Sequence, residues 1–374
     1  MTSTKKIIKS LVLPLHQRKY GWCGGLLAAC LIALIVYSPK ADAAPAVTGV
    51  SGQLAHGASV TITGSGFGTK ASVAPLKYDA FESGTAGQDL GNGWVFSTSH
   101  DRNPKYSTKF LRPNSAMSAM ADFSNNQYLS SFGVRDMTNG YPEVYMDFWY
   151  LYDPASPPSR NHKLFRFYTG SDSGQPDRYM NIFCGSGWTM ESDGGGTTSN
   201  WYGSPWWEWR TNGDKQWSHF QGYFKTNSDG ASNGIIKFWI NHFKGIDASN
   251  WLHRPSGAAL WHSLWFGNYL GHDQAAGCGT SPGDSFTFWD NVYIDTTQAR
   301  VEIGNAPNYE SCTHREIQVP SSWSESSIAV TVNQGSFANF SQVYLFVIDR
   351  NGSVSPGYPI CPTCPRPPVI TNIQ

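Results

Sequence analysis

Two short segments decide the fold of this chain: WSHFQGYFK at residues 217–225 and NGIIKFWIN at residues 233–241. Both alternate with a period of two, the signature of a strand with one buried face. In the first, Phe220 and Phe224 oppose His219, Gln221, Tyr223 and Lys225. In the second, Ile236, Phe238 and Ile240 oppose Lys237, Trp239 and Asn241. The intervening TNSDGAS is rich in turn formers, so the pair reads as a hairpin. The same alternation recurs twice upstream. Val144, Met146 and Phe148 oppose Tyr145, Asp147 and Trp149, and Phe165 and Phe167 oppose Arg166 and Tyr168. Four strands thus carry an aliphatic-aromatic face for a core and a second face of Tyr, Trp, Arg, Lys, His, Gln and Asp.

Composition extends this reading to the whole chain. The 374 residues include 38 Gly, 15 Trp, 18 Tyr and 20 Phe, with only 14% charged residues. That mixture fits strands joined by turns. No long stretch repeats apolar residues at i, i+3, i+4 and i+7, so helices are expected to be short and few.

The N-terminus reads as an export signal. Lys5, Lys6, Lys9, Arg18 and Lys19 precede the apolar run WCGGLLAACLIALIVY (22–37), and Ala41-Asp42-Ala43 offers a small-x-small cleavage site. The run is shorter than the roughly 20 residues of a membrane-spanning helix. Residues 1–43 are therefore expected to be a signal peptide, the protein secreted or surface-exposed, and no membrane inserted beyond that segment. Without them the chain has 21 basic and 26 acidic residues, a formal charge of −5. The absence of a basic tract argues against nucleic acid or an anionic membrane as partner. Five cysteines remain, and export favours disulfides. Cys184 and Cys278, both in Gly-rich loops of one region, are expected to pair. Cys361 and Cys364 in the tail (361–374) read as a local bridge or a link to Cys312.

Two family resemblances follow from particular motifs. VTGVSG (47–52) and SVTITGSGFG (59–68) resemble the opening of an IPT/TIG immunoglobulin-like domain, and the pattern stops near Lys70. RVEIG (300–304), WSESSIAVTV (323–332) and QVYLFVI (342–348) resemble later strands of the same family. The resemblance implies one split sandwich, residues 45–70 with 298–360, interrupted by a second domain. Insertion at an exposed turn is physically easy, because domain termini commonly lie close together. The inserted residues 75–297 are similar to concanavalin A-like jelly rolls of the laminin-G and polysaccharide-lyase kind, through KYDAFESG (77–84), the 217–241 hairpin and FTFWDNVYI (286–294). The expected fold is all-β: a concanavalin A-like jelly roll plus a small Ig-like sandwich.

If the four alternating strands share one sheet, their second face suits a polysaccharide. Aromatic rings stack on pyranose C–H faces, and Arg and amide groups bond hydroxyls or carboxylates. The expected carbohydrate-binding residues are Tyr145, Asp147, Arg166, Tyr168, His219, Tyr223, Lys237, Trp239 and Asn241, with Trp188, Trp201, Trp206, Trp207 and Trp209 as a rim. Glycoside hydrolysis needs two carboxylates across the bond. Glu191-Ser192-Asp193 runs instead into Gly194-Gly195-Gly196, with no second Glu, so hydrolysis is disfavoured. The lyase resemblance implies β-elimination on a uronate polymer as the alternative, with Arg166, His219, Gln221 and Tyr223 eligible for charge stabilisation and proton transfer. A third reading is a non-catalytic adhesin or matrix protein. No cofactor is expected beyond a structural calcium, for which the jelly-roll resemblance implicates Glu82 and Asp290.

Overall fold

A computed structural model describes residues 43–96, 102–125, 127–136, 139–154, 161–170, 177–183, 187–191, 199–201, 216–270 and 284–360. Among these the chain is all strand and loop, with one 3-10 turn at Tyr309–Ser311. The strands begin with β1 (Ala46–Gly52), β2 (Ser59–Ser65), β3 (Lys77–Asp79), β4 (Val95–Phe96), β5 (Lys105–Ser107), β6 (Ser118–Asp122) and β7 (Phe132–Arg135). The middle of the chain holds β8 (Glu143–Tyr152), β9 (Asn161–Thr169), β10 (Arg178–Phe183), β11 (Gly187–Glu191), β12 (Ser199–Trp201), β13 (Ser218–Lys225), β14 (Gly234–Ile240), β15 (Phe243–Trp251), β16 (Trp261–Leu270) and β17 (Phe286–Asp295). The last are β18 (Arg300–Gly304), β19 (Arg315–Trp323), β20 (Ser327–Thr331), β21 (Tyr344–Ile348) and β22 (Tyr358–Pro359).

These strands build three antiparallel sheets. A seven-stranded sheet (β12-β11-β10-β9-β16-β7-β4) stacks on an eight-stranded one (β15-β14-β13-β8-β17-β6-β5, with β3 also paired to β17), which gives the jelly-roll sandwich. Its core is aromatic. Phe148 and Phe220 stack at 5.3 Å within one sheet, and Phe167 meets Phe224 at 5.1 Å across the gap. Val144, Met146, Ile236, Phe238 and Ile240 all point inward, as the period-two reading requires. Gly222 also faces this core. A Cβ there would sit 3.0 Å from Phe238 and 3.2 Å from Met146, so the bare backbone makes room for larger neighbours. Strands β14 and β15 meet at Asn241-His242, whose φ angles of 48° and 67° match the tight turn that suits a twisted hairpin.

The third sheet joins the two ends of the chain: β1-β2-β20-β19-β18-β21-β22. Ser59–Thr63 of β2 pairs with Ser327–Thr331 of β20. Strand β19 pairs with β20 through its second half and with β18 through its first, so the sheet folds over itself. Val60, Ile62, Val301, Ile303, Ile328, Val330, Leu345 and Val347 fill the fold as a core separate from that of the jelly roll. Residues 1–42, Cys184, Cys278, Cys361 and Cys364 lie outside the described residues, and with them the export signal and the disulfide expectations. Cys312 is buried and unpaired among the described residues.

Candidate functional site

The nine expected carbohydrate-binding residues are divided by the structure. Strands β8, β13 and β14 are neighbours in the eight-stranded sheet, whereas β9 lies in the opposite one. Arg166 and Tyr168 therefore face away from the other seven. Periodicity assigns residues to faces, and it does not say which strands share a sheet.

The outer face of β8 and β13 is a further correction, because it is not open to a polymer. Tyr145, Asp147, His219, Gln221 and Tyr223 are all at most 5% exposed. The small sandwich covers them. Gln221 donates to Glu302 at 3.1 Å and accepts from Arg315 at 2.7 Å. The Arg300 guanidinium lies 4.2 Å from the centre of the Tyr145 ring, and Ile317 packs among Tyr145, Tyr223 and Tyr293. His219 bonds Asp147 at 2.8 Å and stacks on Trp149 at 4.8 Å. Trp149 in turn carries Arg112 at 4.0 Å on its ring. What reads in isolation as a sugar-binding face is a buried interface between two sandwiches. Lys237 and Trp239 are partly buried at its margin. Asn241 is exposed in the β14–β15 turn, where its side chain accepts from the His219 backbone N–H.

The outer face of the seven-stranded sheet carries a different arrangement. Across it, β10, β9 and β16 set Tyr179 beside Arg166 and Arg166 beside Trp265, and Tyr269 beside Lys163. Asp177 fixes the Arg166 guanidinium with a 2.6 Å bond from Nε and a second from Nη2. The guanidinium lies 4.7 Å from the Tyr168 ring and 4.8 Å from the Tyr179 ring. Lys163 sits 4.9 Å from Tyr179 and 4.4 Å from Tyr269. Tyr269 stacks on Tyr128 at 5.8 Å, and Tyr128 is 41% exposed. The result is a ladder of alternating rings and cations, Tyr128-Tyr269-Lys163-Tyr179-Arg166-Tyr168, rising from a buried ion pair to solvent. Sequence reasoning found Arg166 and Tyr168 but missed the other four. Register irregularities in β9–β10 and β9–β16 break the simple alternation there. The expected tryptophan rim has no described side chains.

Glu82 and Asp290 line one cleft, together with Arg112, Asn114, Ser115 and Asn333. Asp290 pairs with Trp149 of β8, and a bulge directly after it, with Asn291 at φ 49°, shifts the register before Tyr293. The neighbouring Ser115 hydroxyl donates to Glu82 at 2.6 Å, and Asp290 is 1% exposed. Burial pushes its acid up to about 7, with Arg112 opposing and Glu82 reinforcing the rise. A buried carboxylate beside a second one is a donor set for a hard cation. Among the described residues no cluster holds three or more His, Cys, Asp or Glu, so amide, backbone or water oxygens would complete the coordination.

No protein-family model and no curated protein sequence matches the chain. Solved structures do resemble it in part. An endo-β-1,4-glucuronan lyase from the fungus Trichoderma reesei aligns with 60% of this chain and 96% of its own, at 12% identity and a TM-score of 0.41. The alginate lyase vAL-1 from a Chlorella virus aligns over 51% and 89%, at 14% identity and TM-score 0.37. The alginate lyase Aly36B aligns over 48% and 80%, at 14% identity and TM-score 0.34.

Proposed function

We propose that this is an exported polysaccharide-binding protein whose binding surface is the outer face of the seven-stranded sheet. The observation that carries the reading is the Tyr128-to-Tyr168 ladder. Its solvent end offers the Tyr128 and Tyr269 rings for pyranose stacking and the Lys163 cation, set against Tyr269, for acidic sugars, while Tyr179 and Tyr168 lie buried behind them. The Asp177–Arg166 pair holds the inner rungs in place, and Lys163 sits on Tyr269, the ring that stacks on the exposed Tyr128. The small sandwich, proposed as a TIG-like module into which the jelly roll is inserted, backs the opposite sheet and leaves this face clear of itself.

Titration calorimetry with neutral and uronate oligosaccharides tests the proposal. Uronates should bind, and Tyr128→Ala should weaken binding about tenfold, the equivalent of about 1.4 kcal/mol. Lys163→Ala should do the same and flatten the salt dependence. Lys244→Ala, on β15 of the other sheet, should change nothing. Undiminished affinity in both ladder variants would refute the site. Growth of absorbance in the unsaturated-uronate band during the titration would convert the reading to β-elimination, with Tyr269 beside Lys163 as the candidate to move the proton. N-terminal sequencing of the exported protein should begin at Ala44.

The cleft of Glu82 and Asp290 is proposed as a structural calcium site. Bound calcium would supply charge neutralisation for the Asp290 carboxylate. Calcium at a hundredfold excess over Kd should stabilise the fold by about 2.7 kcal/mol, read as a rise in Tm. Asp290→Ala should abolish that response. A wild-type Tm indifferent to calcium and to chelator rules the site out.

A further inference from the structure

Both crossings between the small sandwich and the jelly roll converge on one buried cluster. Lys70 lies on the outward crossing between β2 and β3, and Asp295 closes β17 just before the return to β18. Their side chains are 0% and 1% exposed, and Lys70 Nζ sits 2.5 Å from Asp295 Oδ2. Every other contact of the pair fits a reaction at the Asp295 carboxyl carbon. The Thr296 backbone N–H donates to Oδ1 at 2.7 Å, which polarises that oxygen as a carbonyl. The Tyr293 hydroxyl donates to Oδ2 at 2.6 Å and lies 3.4 Å from Nζ, so it touches both the leaving oxygen and the attacking nitrogen. The Val73 carbonyl accepts from Nζ at 3.1 Å and aims the amine. The Trp323 ring, 5.7 Å from Nζ, helps close the site to water.

We propose that Lys70 and Asp295 join covalently, through an amide between Nζ and Cγ formed with loss of one water. The starting ion pair first exchanges a proton, giving a neutral amine and a carboxylic acid. Burial favours this exchange from both sides: it lowers the Lys70 pKa and raises that of Asp295, each partly offset by the other's charge. The Nζ lone pair attacks Cγ, and the developing negative charge on Oδ1 meets the Thr296 N–H. The C–Oδ2 bond then breaks. Oδ2 leaves as water with the carboxyl proton and one amine proton, the latter relayed through the Tyr293 hydroxyl. Oδ1 remains as the amide oxygen and Nζ keeps one hydrogen. No oxidant, cofactor or second protein takes part. The product clamps the two crossings, so the inserted sandwich hangs from its host by a closed covalent ring.

Peptide mapping of the purified full-length chain by mass spectrometry tests this directly. The expected result is a branched peptide that joins the segments around Lys70 and Asp295, lighter by one water than their sum. Lys70→Arg keeps the charge but should return both segments separate at full mass. Tyr293→Phe should slow linkage about a hundredfold, seen as a mixture that converts with time. Recovery of both wild-type segments unlinked and at full mass means an ion pair only, and overturns the proposal. This readout needs no ligand, so its failure leaves the polysaccharide reading untouched.

Discussion

Glu302→Ala is expected to destabilise the protein by about 3–5 kcal/mol. Glu302 is fully buried on β18, with its carboxylate 2.5 Å from Arg300 Nε and 3.3 Å from Arg315 Nε. The Tyr309 hydroxyl and the Gln221 amide donate to the same group, each at 3.1 Å. Burial alone would raise the Glu302 pKa, and the two guanidiniums reverse that and hold it below the ordinary range. Alanine removes the shared counter-charge and leaves two guanidiniums buried, at 5% and 2% exposure. Such orphaned charges cost more than the hydrogen bonds lost with them. Urea denaturation of the wild type and the variant measures the difference. A loss below about 1 kcal/mol would mean that the interface relaxes around the missing group. Because Gln221 belongs to the jelly roll and Glu302 to the small sandwich, the variant should also be cut faster by protease at the two crossings.

The second large effect is acid lability through Glu316. Its carboxylate is buried, paired with Arg112 of the jelly roll and with His314 at 2.9 Å, and accepts from the Ser336 backbone N–H at 2.9 Å. Burial pushes the acid up, but Arg112 and His314 outweigh it and hold it down at about 2. A carboxylate whose folded pKa lies below its unfolded one stabilises the fold above the unfolded value. That stability drains away as pH falls through the folded value. The window is therefore about pH 4.5 down to 2, and the shift corresponds to about 3 kcal/mol. Glu316→Gln should be less stable at pH 7 and should lose less than the wild type across that window. Parallel acid profiles for the two proteins would contradict the assignment.

How far these features were legible in the sequence depends on what fixes them. The all-β fold was, because period-two alternation in 143–151, 217–225 and 235–241 reflects burial on one face, and the same residues form the observed core. The partner of the second face was not. Tyr145, Asp147, His219 and Gln221 look alike whether they meet sugar or Arg300, Glu302 and Arg315, since both partners ask for rings and hydrogen-bonding groups. A clue lay in the small sandwich itself. Glu302 alternates with Val301 and Ile303, and Arg315 and Ile317 share the outward face of β19, a charged surface in need of a polar mate. The ladder escaped for a different reason. It is assembled from β9, β10, β16 and the loop between β6 and β7, and only tertiary pairing brings Lys163 beside Tyr269.

The pairing of β2 with β20 also sets a timetable for biogenesis. Ser59 emerges from the ribosome roughly 270 residues before its partner Thr331. At 5–20 residues per second, β2 waits on the order of ten to fifty seconds with a bare edge. The large sandwich has all of its strands within that interval and can complete itself first. Its finished outer face, already bearing Asp147, Gln221 and Tyr293, is then the template on which the late strands β18 and β19 arrive. The interruption that looks like a burden on the small sandwich makes the large one its scaffold.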